Sequence, residues 1–492
     1  MKKIHINIIT AFVILIALGS CKKYLDKDPD MRAEVNTVDK VAQLVTSAYP
    51  KRNYLAMAET YSDNVQDKGV GVGHLNEPFP DLYFWKDIEA DGNNTPTEYW
   101  NGLYAGIAAA NQALESIEKY NLGTAANPYK GEALVARAYA HFMLVTFFAK
   151  AYQIGAANDA PGIPYVTEPE TEVIKMYERG TVATVYQKIQ EDLEAGIPLL
   201  AGGQWQVPKY HFTAPAAHAF AARFYLFKGE WDKAIAAANR IFPNGDFTGN
   251  LRPQATEWRN ATLNEYNIMA TRADQKYNLL LNETYSVYQR STASAGSRYG
   301  FGTQKFQEVY NGNTVAGAAF YNKGISYGVP HYTVYILREY FHYTNVAAGI
   351  GYPYVMTPLF VSDEALINRA EAYVNKGNFT DALKDLNQFA SVRIVNYNAT
   401  THAVTLDKAK QFFNETDDKE ALIKTILQFK QIAFMGEGMR WMDMLRHRIP
   451  SVHTHLAADG TETTETLEPD DNRRVFQIPQ EATISGIELN PR

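Results

Sequence analysis

The sequence predicts a mainly α-helical fold, a scaffold of helix hairpins broken by one large loop-rich insertion that contains short β-strands. Three observations predict it. Apolar residues recur at helical spacing from about residue 38 to 245 and again from 359 to 448, the pattern of helices that bury one face. Two stretches, YLFKGEWDKAI (225–235) and YVNKGNFTDAL (373–383), repeat one hairpin signature. Between them, over roughly 246–358, helical periodicity fades, Gly and Asn accumulate, and alternating runs such as YNLLLNETYSVYQR suggest strands and loops.

The strongest helix is 132–149, with Ala133, Ala136, Ala140, Met143, Leu144, Phe147 and Phe148 on one face. It needs a cover, and 98–118 supplies a matching stripe through Leu103, Ile107, Ala110, Leu114 and Ile117. In the repeated signature Gly ends the first helix, an aromatic (Trp231 or Phe379) plugs the turn, and a small residue (Ala234 or Ala382) lets the second helix approach. That pattern is similar to a tetratricopeptide repeat. A long amphipathic segment, 419–447, contains most of FMGEGMRWMDMLRHR (434–448), where helical spacing offers Glu437, Arg440, Asp443, Arg446 and His447 partners on the same helix. With Met and Trp around them, Glu437, Arg440 and Asp443 read as structural. The last 44 residues read as irregular and polar, with a short strand-like RVFQIP.

The 492-residue chain, 46% hydrophobic, is long enough for a substantial core. Its net charge of -7, with no basic cluster, argues against nucleic acid or anionic lipid headgroups as partners. At the start, Lys2 and Lys3 precede an apolar run, Ile8 to Leu18, which is too short to span a membrane, since that takes about 20 residues. Residues 1–20 read as a signal peptide. The ending LGSC is similar to a bacterial lipobox, in which Cys21, the chain's single cysteine, would take the lipid. Residues 21–37 then read as a flexible leash between lipid and domain.

No motif nominates a catalytic centre, a cofactor or a metal. GISYG (324–328) has the spacing of a nucleophile elbow, but Pro330 follows at once and no βαβ pattern surrounds it. GVGVGH (69–74) has spaced glycines without a helix behind them, and HTH (453–455) lacks further ligands. Thirteen of the 32 tyrosines fall between Tyr277 and Tyr354. A tyrosine can stack on a sugar ring and hydrogen-bond its edge, although most of these rings are expected to fill core beneath loops.

The lipobox, YWNGLYAGIAAANQALESI, GEALVARAYAHFMLVTFFA, PGIPYV, the two hairpins, and FMGEGMRWMDMLRHR followed by FQIPQE occur in an order and spacing that resembles the RagB/SusD outer-membrane lipoproteins of Bacteroidetes. The resemblance covers essentially the whole chain after Cys21. It implies a non-enzymatic nutrient-binding lipoprotein, anchored through Cys21 to the outer membrane and facing outward. Its loop-rich half would bind an oligosaccharide or polysaccharide, and its helical scaffold would contact a SusC-like TonB-dependent transporter. A peptide or other nutrient as ligand is the alternative, and a surface glycoside hydrolase the more distant one. In the family's starch-binding prototype an aromatic arc draws on residues just before the 98–118 helix and on the insertion. The regional equivalents here are Trp85, Tyr83 and Phe84 in DLYFWKD, with Tyr285, Tyr288, Tyr299 and Tyr327, and Trp85 is the first expectation.

Overall fold

The computed structural model describes residues 34–492 apart from 173, 292–295, 327 and 335. The expected signal peptide, Cys21 and Tyr327 lie outside the described residues. Among the described residues no helix is long and apolar enough to cross a membrane.

Helix α1 (Val38–Val45) is capped by Thr37, whose hydroxyl accepts from the Lys40 N–H. Helix α2 (Leu55–Tyr61), strand β1 (Gln66–Asp67) and helix α3 (Phe79–Tyr83) follow. The first long pair is α4 (Pro96–Lys119) with α5 (Asn127–Phe148), and α5 packs equally against α6 (Val182–Gly196). The expected pairing of 98–118 with 132–149 is therefore present, but α5 has no outer face: every residue from Gly131 to Phe148 is buried. Its polar groups are matched in place. The Arg137 guanidinium pairs with both oxygens of Asp192 on α6, each at 2.7 Å, and Glu132 accepts from Tyr49 Oη and Trp205 Nε1, both at 2.6 Å.

The two repeated hairpins are α7 (Ala214–Lys228) with α8 (Trp231–Asn239) and, beyond the insertion, Ser362–Asn375 with Phe379–Ser391. The insertion holds α9 (Leu263–Thr271) and strands β2 (Asn278–Tyr285), β3 (Tyr299–Gly300), β4 (Gly324–Ser326), β5 (Tyr332–Val334), β6 (Glu339–Asn345) and β7 (Ile350–Val361). Strand β7 runs into α10 (Ser362–Asn375), which turns into α11 (Phe379–Ser391). Gly229 (φ 81°) and Gly377 (φ 75°) end the first helix of each hairpin in the left-handed region, and a Cβ at 229 would sit 2.8 Å from Ile154. Ala234 and Ala382 are fully covered where the second helix crosses close. Next come α12 (Leu406–Phe413), α13 (Asp418–Ala433) and α14 (Met439–Arg446), and then an antiparallel hairpin of β8 (Ser451–Leu456) and β9 (Glu462–Leu467). In the largest sheet β7 lies between β2 and β6, antiparallel to both.

Two expectations are corrected. Residues 419–447 are two helices, because Gly436 (φ 88°) and Gly438 (φ 71°) turn the chain between them. The carboxylate of Glu59, on α2, accepts from the N–H groups of both glycines at 2.9 and 2.8 Å, and a Cβ on Gly438 would press 2.7 Å from the Tyr54 ring. The last segment is also more regular than expected, since β8 and β9 pair over six residues each. The Thr- and Glu-rich run of β9 buries only Leu467 and so leaves a weak strand signal. RVFQIP itself stays outside any strand, tied to α5 by the Phe476 N–H donating to Phe147 O.

The charges of 434–448 are structural in position, but their partners lie mostly outside the helix. Arg252 donates to both oxygens of Glu437 at 2.7 and 2.9 Å, Arg440 to both of Asp63 at 2.8 and 2.7 Å, and Lys430 on α13 to Asp443 at 2.7 Å. Arg446 reaches Glu371 on α10 at 2.5 and 2.6 Å, and Asp443 with Arg446 is the pair within α14. A buried eight-residue helix presents each charge to a different neighbour, so spacing along the helix says little about who meets whom.

Candidate functional site

Tyr83, Phe84, Trp85 and Tyr299 do come together, but as core. Tyr83 stacks on Tyr299 at 4.3 Å and on His453 at 4.2 Å, and His453 stacks in turn on Trp85 at 4.3 Å. Trp85 is 1% exposed, its Nε1 donates to Tyr61 O at 3.2 Å, and its φ of 50° is left-handed. That backbone costs about 1–3 kcal/mol and persists where packing over-determines it. The two ring nitrogens of His453 lie 2.7 and 2.8 Å from the carbonyl oxygens of Tyr83 and Ser62, which leaves no nitrogen free for a metal. Phe84 is half-buried and meets Tyr83, Tyr299 and His455 edge-on. Tyr288 is buried beside Gly436. A ring without an accessible face offers no platform, so the expectation for Trp85, Tyr83, Tyr288 and Tyr299 is corrected: as arranged here Tyr83, Trp85 and Tyr299 hold the β8 hairpin to α3 and the insertion, and Tyr288 packs at the Gly436 turn.

A group of exposed rings lies on the β2–β7–β6 sheet. Tyr285, Tyr354 and Tyr340 face one another across the three strands in one row, and in the next row Tyr352 pairs with His342. Period-2 alternation puts all five side chains on the same face. Tyr340 is 41% exposed and Tyr352 45%, while Tyr285 and Tyr354 are half-buried between them. Tyr285 lies 4.8 Å from Tyr352 and 4.6 Å from Tyr354, with the Arg52 guanidinium 4.5 Å over its ring and paired with Glu98. Of the residues expected from sequence, Tyr285 is the one this face includes.

The same face borders a recess of about 380 Å³ lined by Tyr49, Lys51, Gln206, Tyr210, Asn282 and Glu283 among others. Tyr340 Oη donates to Glu283, which joins the tyrosine row to the recess. Burial and its tyrosine neighbours push Tyr285 up to about 12, so its hydroxyl stays neutral at physiological pH. The face thus offers flat apolar rings with hydroxyl, amide and carboxylate groups at their edges. Tyr340 carries no local signal because aromatics occupy both faces of EYFHYTN, and Tyr352 and Tyr354 join it only through the pairing of β7 with β6.

Groups with the look of chemistry are otherwise employed. Burial pushes Glu59 up to about 7, against the pull of its three donors, Asn64 and the two glycine amides. It is fully covered and grips a turn of the chain. Ser326 ends a strand paired antiparallel with Tyr332–Val334, so no helix follows it as an elbow would require. Among the described residues no group of three or more His, Cys, Asp or Glu is placed to hold a metal ion.

Comparison with known proteins gives one consistent answer. The family model described as "Starch-binding associating with outer membrane" matches residues 23–226, and that of the SusD family matches residues 229–486. A SusD-like protein of Formosa agariphila is 23% identical over 504 residues, covering 91% of this chain and 92% of its own. A SusD superfamily protein of Bacteroides vulgatus is 20% identical with a TM-score of 0.66, over 93% of this chain and 99% of its own. A SusD-like carbohydrate binding protein of the same species is 16% identical with a TM-score of 0.64, over 92% and 96%.

Proposed function

Since the chain belongs to the SusD family, we propose that it is a surface lipoprotein that binds oligosaccharide or polysaccharide without turning it over and delivers it to a SusC-like TonB-dependent transporter in the outer membrane. The observation that carries the ligand class is the row Tyr285–Tyr354–Tyr340 with Tyr352 beside it, partly exposed and bordering a hydrogen-bonding recess. Pyranose rings present apolar C–H faces and hydroxyl edges, and such a surface meets both at once. Stacking at each ring is worth about 0.5–1.5 kcal/mol beyond its area, so two or three rings give useful affinity with no group changing its protonation.

Lipid on Cys21 would fix the protein to the membrane, since two or three acyl chains anchor stably where one does not. The helical scaffold is the surface on which the transporter would sit, as family membership supports. A carbohydrate-named relative in the same fold also supports a glycan ligand.

The test uses the chain begun at residue 22, applied to glycan and peptide arrays, with product analysis on every glycan bound. Binding with intact glycan recovered supports the reading. Peptide binding alone moves the ligand class, and released products make the protein a hydrolase.

A further inference from the structure

Among the described residues most buried lysines and arginines meet acids. Arg252, Arg298 and Lys430 each contact a carboxylate at 2.6 to 2.7 Å, and Arg474 donates instead to the carbonyl oxygens of Ile449, Leu467 and Met444. Lys68 departs from this rule. It is 7% exposed, and among the described residues no carboxylate lies within ion-pair distance of its ammonium. What it bonds is another base, the Nδ1 of His331 at 3.0 Å. Asp67, its neighbour in the chain, is turned to Arg298, which donates to both its oxygens at 2.6 Å.

A third base stands close by. His74 ends the GVGVGH loop, which is fixed against the strand β3 region by His74 N–H donating to Gly296 O at 2.7 Å and Arg298 N–H to His74 O at 3.0 Å. Burial, and then the Lys68 charge, hold both His74 and His331 below the usual histidine range. Burial alone pushes Lys68 down to about 8. Both imidazoles are half-buried, while Val70, Leu75 and Val329 on the flanking loops are exposed. Lys68 and His331 touch, and His74 lies beside them along the backbone, where Lys68 N–H donates to Arg298 O and Arg298 N–H to His74 O. A desolvated ammonium with no negative charge beside it is costly. An oxyanion would supply the missing charge by accepting from the Lys68 ammonium and from an imidazole Nε2–H, because His331 Nδ1 already accepts from Lys68 and His74 Nδ1 from the Asn76 N–H.

We propose that Lys68, His331 and His74 form a binding point for an oxyanion substituent, a carboxylate or a sulfate ester, on the glycan ligand. This rests on the glycan reading above and narrows it to acidic glycans.

The experiment has two arms, both on the chain begun at residue 22. In the first, the ring C–H signals of His74 and His331 are followed by NMR while sodium sulfate or sodium glucuronate is added, against sodium chloride at equal ionic strength. Saturable shifts are expected for at least one anion, and which one distinguishes sulfate from carboxylate. Lys68→Met, checked for an unchanged melting temperature, should abolish them, with Lys68→Gln as the substitute if the first variant is unstable. Signals that respond to neither anion more than to chloride overturn the proposal. In the second arm, acidic polysaccharides are compared with their carboxyl-reduced or desulfated forms. The acidic form should bind about tenfold tighter or more, the worth of a charged hydrogen bond, and Lys68→Met should erase the difference. Equal affinity for the two forms also overturns it. If the imidazoles respond to the small anions while no glycan of any kind binds, it is the glycan reading that fails and the anion point that stands.

Discussion

Replacing Glu437 by Gln isolates what holds the 434–448 segment in place. Arg252 is fully buried, and both its terminal nitrogens are spent on Glu437 at 2.7 and 2.9 Å. The amide keeps the shape and one acceptor but removes the charge, leaving a guanidinium in the core with Trp258 and Phe434 about it. Breaking one side of such a pair costs about 3–5 kcal/mol, and the retained acceptor places Glu437→Gln near ~3 kcal/mol. An unfolding entropy of about 2.1 cal/mol/K per residue over 492 residues is ~1 kcal/mol/K, so the melting temperature should fall by about 3 °C. Scanning calorimetry with denaturant titration reads both quantities, and the glycan affinity of the folded fraction should not change. The double variant Arg252→Met with Glu437→Met should be more stable than Glu437→Gln, because removing both charges also removes the desolvation cost. A Glu437→Gln protein within ~0.5 kcal/mol of the parent, or a double variant worse than the single, would refute the reasoning.

Trp85→Ala should destabilise by about 3–5 kcal/mol, a core deletion seen in chemical denaturation, rather than weaken ligand binding in a folded protein. Tyr352→Ala and Tyr340→Ala should each lower glycan affinity about three- to tenfold by calorimetric titration, with melting temperatures within a degree or two of the parent. Glu59 is held protonated to about pH 7 by burial. Its folded pKa is raised above the usual carboxylate value, so its contribution is whole below about pH 4.5 and is lost as pH rises through 7. The rise from the ordinary value to about 7 corresponds to ~3 kcal/mol. Stability of Glu59→Gln measured from pH 5 to 8 should therefore be flatter than that of the parent, and parallel curves would count against a protonated Glu59.

Much of the scaffold is legible because its signals are local. Gly229 and Gly377 sit where a left-handed residue must end a helix, and Ala234 and Ala382 where two helices touch, so both hairpins follow from eleven-residue strings. Long-range choices are not written this way. Nothing in the sequence says that Arg440 will choose Asp63 over a neighbour on its own helix, or that Glu59 will bend the chain at Gly436. The aromatic cluster shows the same limit. Tyr83 and Tyr299 stack at 4.3 Å, but exposure depends on what lies above them, and His453 from the distant β8 strand fills that space. On the sheet, the register of β6 against β7 decides that Tyr340 and Tyr354 share a face, and register comes from pairing rather than from composition.

The grip of Glu59 and Asp63 on Gly436, Gly438 and Arg440 ties the two ends of the domain across more than 370 residues. The two family matches meet between residues 226 and 229, inside one helix hairpin, so that seam divides recognisable sequence without dividing the folded body. During synthesis the first half emerges with its carboxylates unmatched and waits for nearly the whole chain before it can close. Proteases and chaperones would meet that waiting half, and a truncation at the seam would yield two aggregating fragments instead of two domains.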